Sequence, residues 1–441
     1  MWDTASEQRR RSAGAAGAAA GSAADAAGVA AVPVVAAPRS RWVRFALVAG
    51  PGMVVMLADT DAGSIITAAQ SGAQWGYRLL LLQLVLVPIL YVVQELTVRL
   101  GIVAGKGHGE LIREHFGRAW AWVSVGTLVL ACVGALLSEL SGLAGVGLLF
   151  GVPAWLTMAI VVSGLTLMAY TGSYLSVERI AMAIGAFELV FLVVAWQAHP
   201  DATAVAAGLA SIPWRQPQYL YLVAANIGAV IMPWMVFYQQ SAVVEKRLTV
   251  AELPAARLDT ALGAVVTQVI MACVLIATAA TLGGGRHAAL DTVQQIAEAI
   301  TPFLGERTGR VLFGLGMTGS ALVATIVVTL TAARTLGEVL GVKHSLAHAP
   351  REAPWFYGIY TVSLASGGLL VASGVNLVSL SVAVQVMNAL LLPIVLGFLY
   401  LLARRLPPPH RLAGRYAVVV LVTTVVTAGF GVYAALTGVA G

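Results

Sequence analysis

From about residue 45 onward the chain repeats one pattern, long apolar runs of Leu, Val, Ala and Gly separated by short links that carry most of the charge. Runs of about 20 apolar residues match the length of helix that crosses a bilayer, whereas a transmembrane β-barrel would show segments of about 10 residues with alternating polarity. The pattern predicts eleven spans, at about 45–72, 77–100, 119–148, 153–171, 176–197, 217–243, 259–283, 310–337, 355–373, 376–403 and 414–438. Several are longer than a crossing needs, which fits tilted or broken helices.

The first run is interrupted by Asp59-Thr60-Asp61-Ala62-Gly63-Ser64. A carboxylate at mid-membrane costs about 2.5 to 3.5 kcal/mol even on the cheapest scale, so acids in that place point to a cation site or a proton relay. Gly63 allows the helix to unwind, and unwinding frees backbone carbonyls for a cation. The sixth run contains Gly228-Ala229-Val230-Ile231-Met232-Pro233-Trp234. A proline inside a helix removes a backbone hydrogen bond and crowds the preceding turn, so carbonyls near Ala229 are freed as well. Non-helical backbone at that depth is tolerated only where it lines a cavity or is buried in protein. Breaks in spans one and six predict two inverted five-helix repeats, about 45–197 and 217–403, with a substrate site between them and an extra helix at 414–438.

Composition sharpens this picture. The 441 residues are 59% hydrophobic and 10% charged, with a mean hydropathy of +0.87, far from the roughly 25% charge of a soluble domain. Residues 1–42 are rich in Ala, Gly and Ser and carry Arg9, Arg10 and Arg11 without apolar periodicity, so they predict a disordered tail and not a cleaved leader. Cys132 and Cys273 both lie within apolar runs and predict no disulfide. The net charge of +6 follows the topology: with a cytoplasmic N-terminus, 21 of the 26 Lys and Arg residues fall on the inner side and 5 on the outer. The positive-inside rule then sets the N-terminus inside and the C-terminus outside, and the basic charge calls for no nucleic acid. Of the outer connection at 283–310, Asp291 with Val293, Ile296, Ala297, Ile300 and Phe303 predicts a capped amphipathic surface helix. Glu95 and Glu188 fit either a transport role or an interior contact, Glu178 with Arg179 reads as a solvated pair, and His108 and His115 read as surface residues.

Pro51-Gly52 before the first break, Gln70-Ser71-Gly72-Ala73-Gln74-Trp75-Gly76-Tyr77 after it, and Leu100-Gly101-Ile102-Val103-Ala104-Gly105-Lys106 after the second span resemble the frame of the Nramp divalent-metal transporters, from about residue 43 to the end. The resemblance implies an all-α membrane fold of the leucine-transporter type. It aligns Asp61-Ala62-Gly63-Ser64 with the family's Asp-Pro-Gly-Asn and makes Asp61, Ser64, the Ala229 carbonyl and the Met232 thioether the metal ligands. It further implies that Gln385 joins the closed site and that Glu139 lies on the proton pathway. The departures are Ser64 for Asn, Ala62 for Pro, Trp234 and Gln239 or Gln240 for two histidines, and Leu136 for an acid. Asp59, outside the family motif, adds a carboxylate.

A mixed oxygen and sulfur site containing a thioether favours Mn²⁺ or Fe²⁺ over Mg²⁺ and Ca²⁺. The leading expectation is a secondary active importer of such a cation at the inner membrane, with protons as the coupling ion to test and no resident cofactor. Its partners are the ion and the bilayer, with no nucleic acid; a monomer is plausible and the sequence leaves the oligomeric state open. The alternatives are transport of Mg²⁺ or a small organic solute, an uncoupled facilitator, or a non-transporting sensor, the last set back because no output domain follows the eleventh span. No phosphate-binding loop and no Ser-His-Asp or His-Glu-x-x-His spacing occurs, so neither ATP drive nor an enzyme is expected.

Overall fold

The structure is a computed structural model, and it describes residues 50–172, 179–180, 183–282, 289–300, 305–343, 348–374 and 376–440. They belong to a compact unit spanning Val48–Gly441, while the tail predicted at 1–42 lies outside the described residues, as do Glu178 and Phe303. The described residues form helices and no strand. Among them nine helices are long and apolar enough to cross a membrane, or ten if residues 183–197 and 202–210, bent by 105°, make one span. The chain is a multi-pass membrane protein.

The first break is present. Helix α1 (Pro51–Asp59) stops at Thr60, and α2 (Ala62–Trp75) restarts after Asp61, whose backbone is extended. A 3₁₀ turn at Gly76–Leu79 leads directly into α3 (Leu80–Ala104), so the first two runs are joined without a loop. Then come α4 (His108–Phe116), α5 (Arg118–Leu149) and α6 (Ala154–Thr171). A 3₁₀ turn at Ala186–Leu189 precedes α7 (Val190–Gln197), which is followed by α8 (Ala202–Ala210). The second break separates α9 (Pro217–Val230) from α10 (Pro233–Glu245). Pro233 is the first residue of α10, where its missing N–H costs nothing. The chain ends with α11 (Leu253–Leu282), α12 (Val293–Ile300), α13 (Glu306–Leu340), α14 (Pro354–Ala372), α15 (Leu377–Ala403) and α16 (Gly414–Ala440).

Three sequence expectations need correction. His108 is fully buried, not on the surface: its Nδ1 lies 2.9 Å from Gln240 Oε1 and its ring stands edge-on to Phe237 at 4.8 Å. Burial pushes its pKa down to about 4, which keeps it neutral. The reason is tertiary, because α4 folds back onto α10 and Gln240 Nε2 also donates to the Lys106 carbonyl at 2.9 Å. His115 is exposed, as expected. Asp291 is not the cap of the outer helix. Thr292 Oγ1 accepts from the Gln295 N–H at 3.1 Å while Gln295 Oε1 reaches back to the Thr292 N–H at 3.3 Å, a reciprocal capping box one residue later. Finally, α4 and α8 occupy stretches expected to be links, with Asp201 capping α8 through the Thr203 N–H at 3.0 Å.

Polar contacts tie the bundle together around the first break. Asn226 of α9 donates to Ser71 Oγ of α2 at 2.8 Å and accepts from Gln83 of α3 at 2.6 Å. Glu95 is an interior contact: Arg99 and Arg257 both bind it, at 2.6 and 2.7 Å, and the Tyr416 hydroxyl adds a 3.4 Å bond. Gln70 of α2 grips the residues just ahead of α12, accepting the Leu290 N–H at 3.0 Å and donating to the Leu290 carbonyl.

Asp259 of α11 caps α1 from another helix. Its Oδ2 accepts the N–H groups of Gly52 at 2.8 Å and of Gly50 and Met53 at 3.3 Å, supplying three of the amides that a helix start leaves without internal partners. Asp259→Ala should therefore cost about 1 to 3 kcal/mol of local stability. The effect is expected as faster amide hydrogen exchange in residues 51–59, with exchange in α15 unchanged.

Candidate functional site

Asp61 stands where the two halves of the first span meet, and its position follows from its own chemistry. Its Oδ1 accepts the Ser64 N–H at 2.6 Å, the standard use of an aspartate to cap a helix start. The Asp61 carbonyl accepts from Ile65 N–H at 2.9 Å, so the backbone of the break is satisfied on that side. Glu139 reaches in from α5 and accepts the Ala62 N–H at 2.9 Å. Two carboxyl groups thus face the positive end of α2. One oxygen of each, Asp61 Oδ2 and Glu139 Oε1, is buried and receives no hydrogen bond from any described residue. Ionised oxygens without donors at that depth call for a cation or a proton.

The second break meets the first through one bond, from the Ser64 hydroxyl to the Ala229 carbonyl at 3.2 Å. Met232 lies in the extended link between α9 and α10, and its Sδ accepts the Trp234 indole N–H at 3.2 Å. Gln385 of α15 covers the break from a third side. A Cβ added to Gly63 would overlap its amide nitrogen and press on Ser138 Oγ at 2.6 Å, so glycine here is what lets the amide approach the backbone. Gln385 Oε1 accepts from Asn388 at 2.9 Å, while its Nε2 has no partner among the described residues. Asp61, Ser64, Ala229, Met232 and Gln385 are each 1% exposed or less, so the arrangement is occluded.

Asp59 does not join this hydrogen-bonded group. It is buried at the end of α1 with neither carboxyl oxygen bonded to a described residue, and its neighbour Thr60 donates to Glu188. Glu188 is therefore beside the break, a role its sequence position left open. Sequence reasoning missed Ser138, Asn388 and Asp259 altogether. Of these Asn388 carried a signal, being three residues from Gln385 and so on the same helix face. Among the described residues no three His, Cys, Asp or Glu side chains form a group that could hold a metal. With at most the carboxyl groups of Asp61 and Glu139 facing α2, a cation held here would draw its other donors from neutral oxygens, the amide and the thioether.

Residues 52–437 match the family described as natural resistance-associated macrophage protein-like, Nramp. The chain is 29% identical over 295 residues to a divalent metal cation transporter, MntH, of Deinococcus radiodurans, a match spanning 64% of this chain and 66% of that protein. It is 26% identical over 340 residues to an MntH of Agrobacterium fabrum, spanning 74% and 71%. In structure it resembles the Eremococcus coleocola manganese transporter, with a TM-score of 0.73, 21% identity and coverage of 92% and 89%. A nucleobase-cation-symport-1 family transporter in a closed conformation shares the fold with a TM-score of 0.57, 16% identity and coverage of 89% and 91%. The fold is leucine-transporter-like, and the chain belongs to the Nramp family.

Proposed function

We propose that the protein is a secondary active transporter that imports a divalent transition-metal cation, Mn²⁺ or Fe²⁺, across the inner membrane by alternating access. The observation that carries this reading is the buried, donor-free Asp61 Oδ2 at the junction of two broken helices, next to the Ser64 hydroxyl and the Ala229 carbonyl. In this reading Asp61, Ser64, the Ala229 carbonyl and Met232 ligate the ion and Gln385 closes over it. Eleven spans in two inverted five-helix repeats rock around the site, with the N-terminus inside, in keeping with the 21 to 5 division of basic residues. The relatives described as divalent metal cation transporters support the substrate class.

For proton coupling, no histidine occurs in α10, so the acids beside the break, Asp59, Glu139 and Glu188, would carry the proton. Uptake of Mn²⁺, Fe²⁺, Cd²⁺, Mg²⁺ and Ca²⁺ into proteoliposomes, with and without a pH gradient, tests both parts. Mn²⁺ uptake with luminal acidification is expected. Mn²⁺ uptake without proton flux would leave a facilitator, and Mg²⁺ uptake without Mn²⁺ uptake would overturn the substrate assignment.

One observation favours a second reading, a harder substrate such as Mg²⁺: the single soft donor, Met232 Sδ, already accepts a hydrogen bond. Met232→Ala separates the two. If the thioether is a ligand, the variant should lose about tenfold or more in its preference for Cd²⁺ or Mn²⁺ over Mg²⁺ in competition uptake. An unchanged preference would show that Met232 only packs.

A further inference from the structure

The Trp234 side chain has no place in the ligand set, yet it is fully buried in the first turn of α10, two residues from Met232. Its indole N–H is a donor only, and burial obliges it to find an acceptor. The acceptor is Met232 Sδ at 3.2 Å, a weak acceptor held at close range. A thioether sulfur has two lone pairs. The bond occupies one, withdraws electron density from the other, and fixes the rotation of a side chain that otherwise turns freely.

We infer that Trp234 is a specificity-determining residue that acts through Met232: by donating to the thioether it lowers the site's softness and moves its selectivity from Cd²⁺ towards Mn²⁺. This rests on the reading of Met232 as a ligand. Soft ions depend most on a strong sulfur donor, and Mn²⁺, which is served mainly by oxygen, depends on it least. Weakening the sulfur therefore penalises Cd²⁺ more than Mn²⁺. Trp234 touches no ion in this scheme and is a positioning residue.

The test is the ratio of Cd²⁺ to Mn²⁺ uptake in competition, in proteoliposomes of the full chain. Trp234→Phe removes the N–H but leaves a smaller ring. A second variant with 3-benzothienylalanine at the same position exchanges the N–H for a ring sulfur that cannot donate and nearly keeps the shape, so a folding defect in the first does not decide the matter. Loss of one hydrogen bond to a ligand should raise the Cd²⁺ to Mn²⁺ ratio about threefold to tenfold in both variants. In the Met232→Ala background the same changes at position 234 should leave the ratio where it is, which a merely structural tryptophan would not ensure. If Met232→Ala alone shifts the ratio and the benzothienyl variant does not, the role of Trp234 is overturned while the ligand set stands. If Met232→Ala shifts nothing, the thioether is no ligand and both readings fall together.

Discussion

Asp61→Asn should abolish metal binding and uptake while the protein still folds. Asparagine caps a helix about as well as aspartate, so its side-chain oxygen can keep the bond to the Ser64 N–H and hold α2 in place. What disappears is the negative charge on the one ionisable side chain among the four proposed ligands. Changes one shell away from a metal cost about 10- to 100-fold in affinity, so neutralising a direct ligand should cost at least about 100-fold. Binding calorimetry with Mn²⁺, together with a thermal melt in detergent, separates loss of binding from loss of fold. Normal uptake by a well-folded Asp61→Asn protein would remove Asp61 from the site.

Gly228→Ala is expected to damage the protein as a whole. A Cβ there would sit inside the Gln385 carbonyl and only 2.7 Å from the Ala389 backbone nitrogen, so α9 and α15 can accept it only by moving apart. Both neighbours are backbone and no side chain can turn aside, which puts the cost at the upper end of overpacking, about 3 kcal/mol. Because Gln385 rides on the displaced helix, uptake should fall with stability. Gly397→Ala in the same helix α15 is the control, since its Cβ would meet open space. A lower melting temperature in the first variant and an unchanged one in the second are the outcomes to look for.

The breaks themselves were legible in the sequence because they violate a strong local rule. Two aspartates and a glycine in an apolar run, and a proline seven residues after an asparagine in another, are costly in a bilayer unless they face a cavity or a buried site. Their mutual contact was not legible, because the Ser64 to Ala229 bond joins residues 165 apart and depends on how two helix pairs pack. The same holds for Asp259, whose 207-residue reach to Gly52 N–H leaves no local trace. His108 failed for a related reason: beside Lys106 and Glu110 it has a polar setting in sequence, and only the folding of α4 onto Phe237 and Gln240 makes it interior. The short helix α8 was hidden by composition, as an alanine-rich stretch carries propensity without the periodicity that marks a face.

The cap that Asp259 places on α1 also defines a mechanical element. Nine helical residues form a rod of about 14 Å. Three amides on one carboxylate oxygen fasten one end of that rod, and the other end carries Asp59 and Thr60 to the edge of the site. A rod pinned in this way moves as a lever. A tilt of about 10° about the fastened end displaces the far end by about 2.4 Å, comparable to the 3.2 Å bond that joins the two breaks. Small angular motions at the fulcrum are thus enough to make or sever contacts at the first break, with no unfolding of α1 itself.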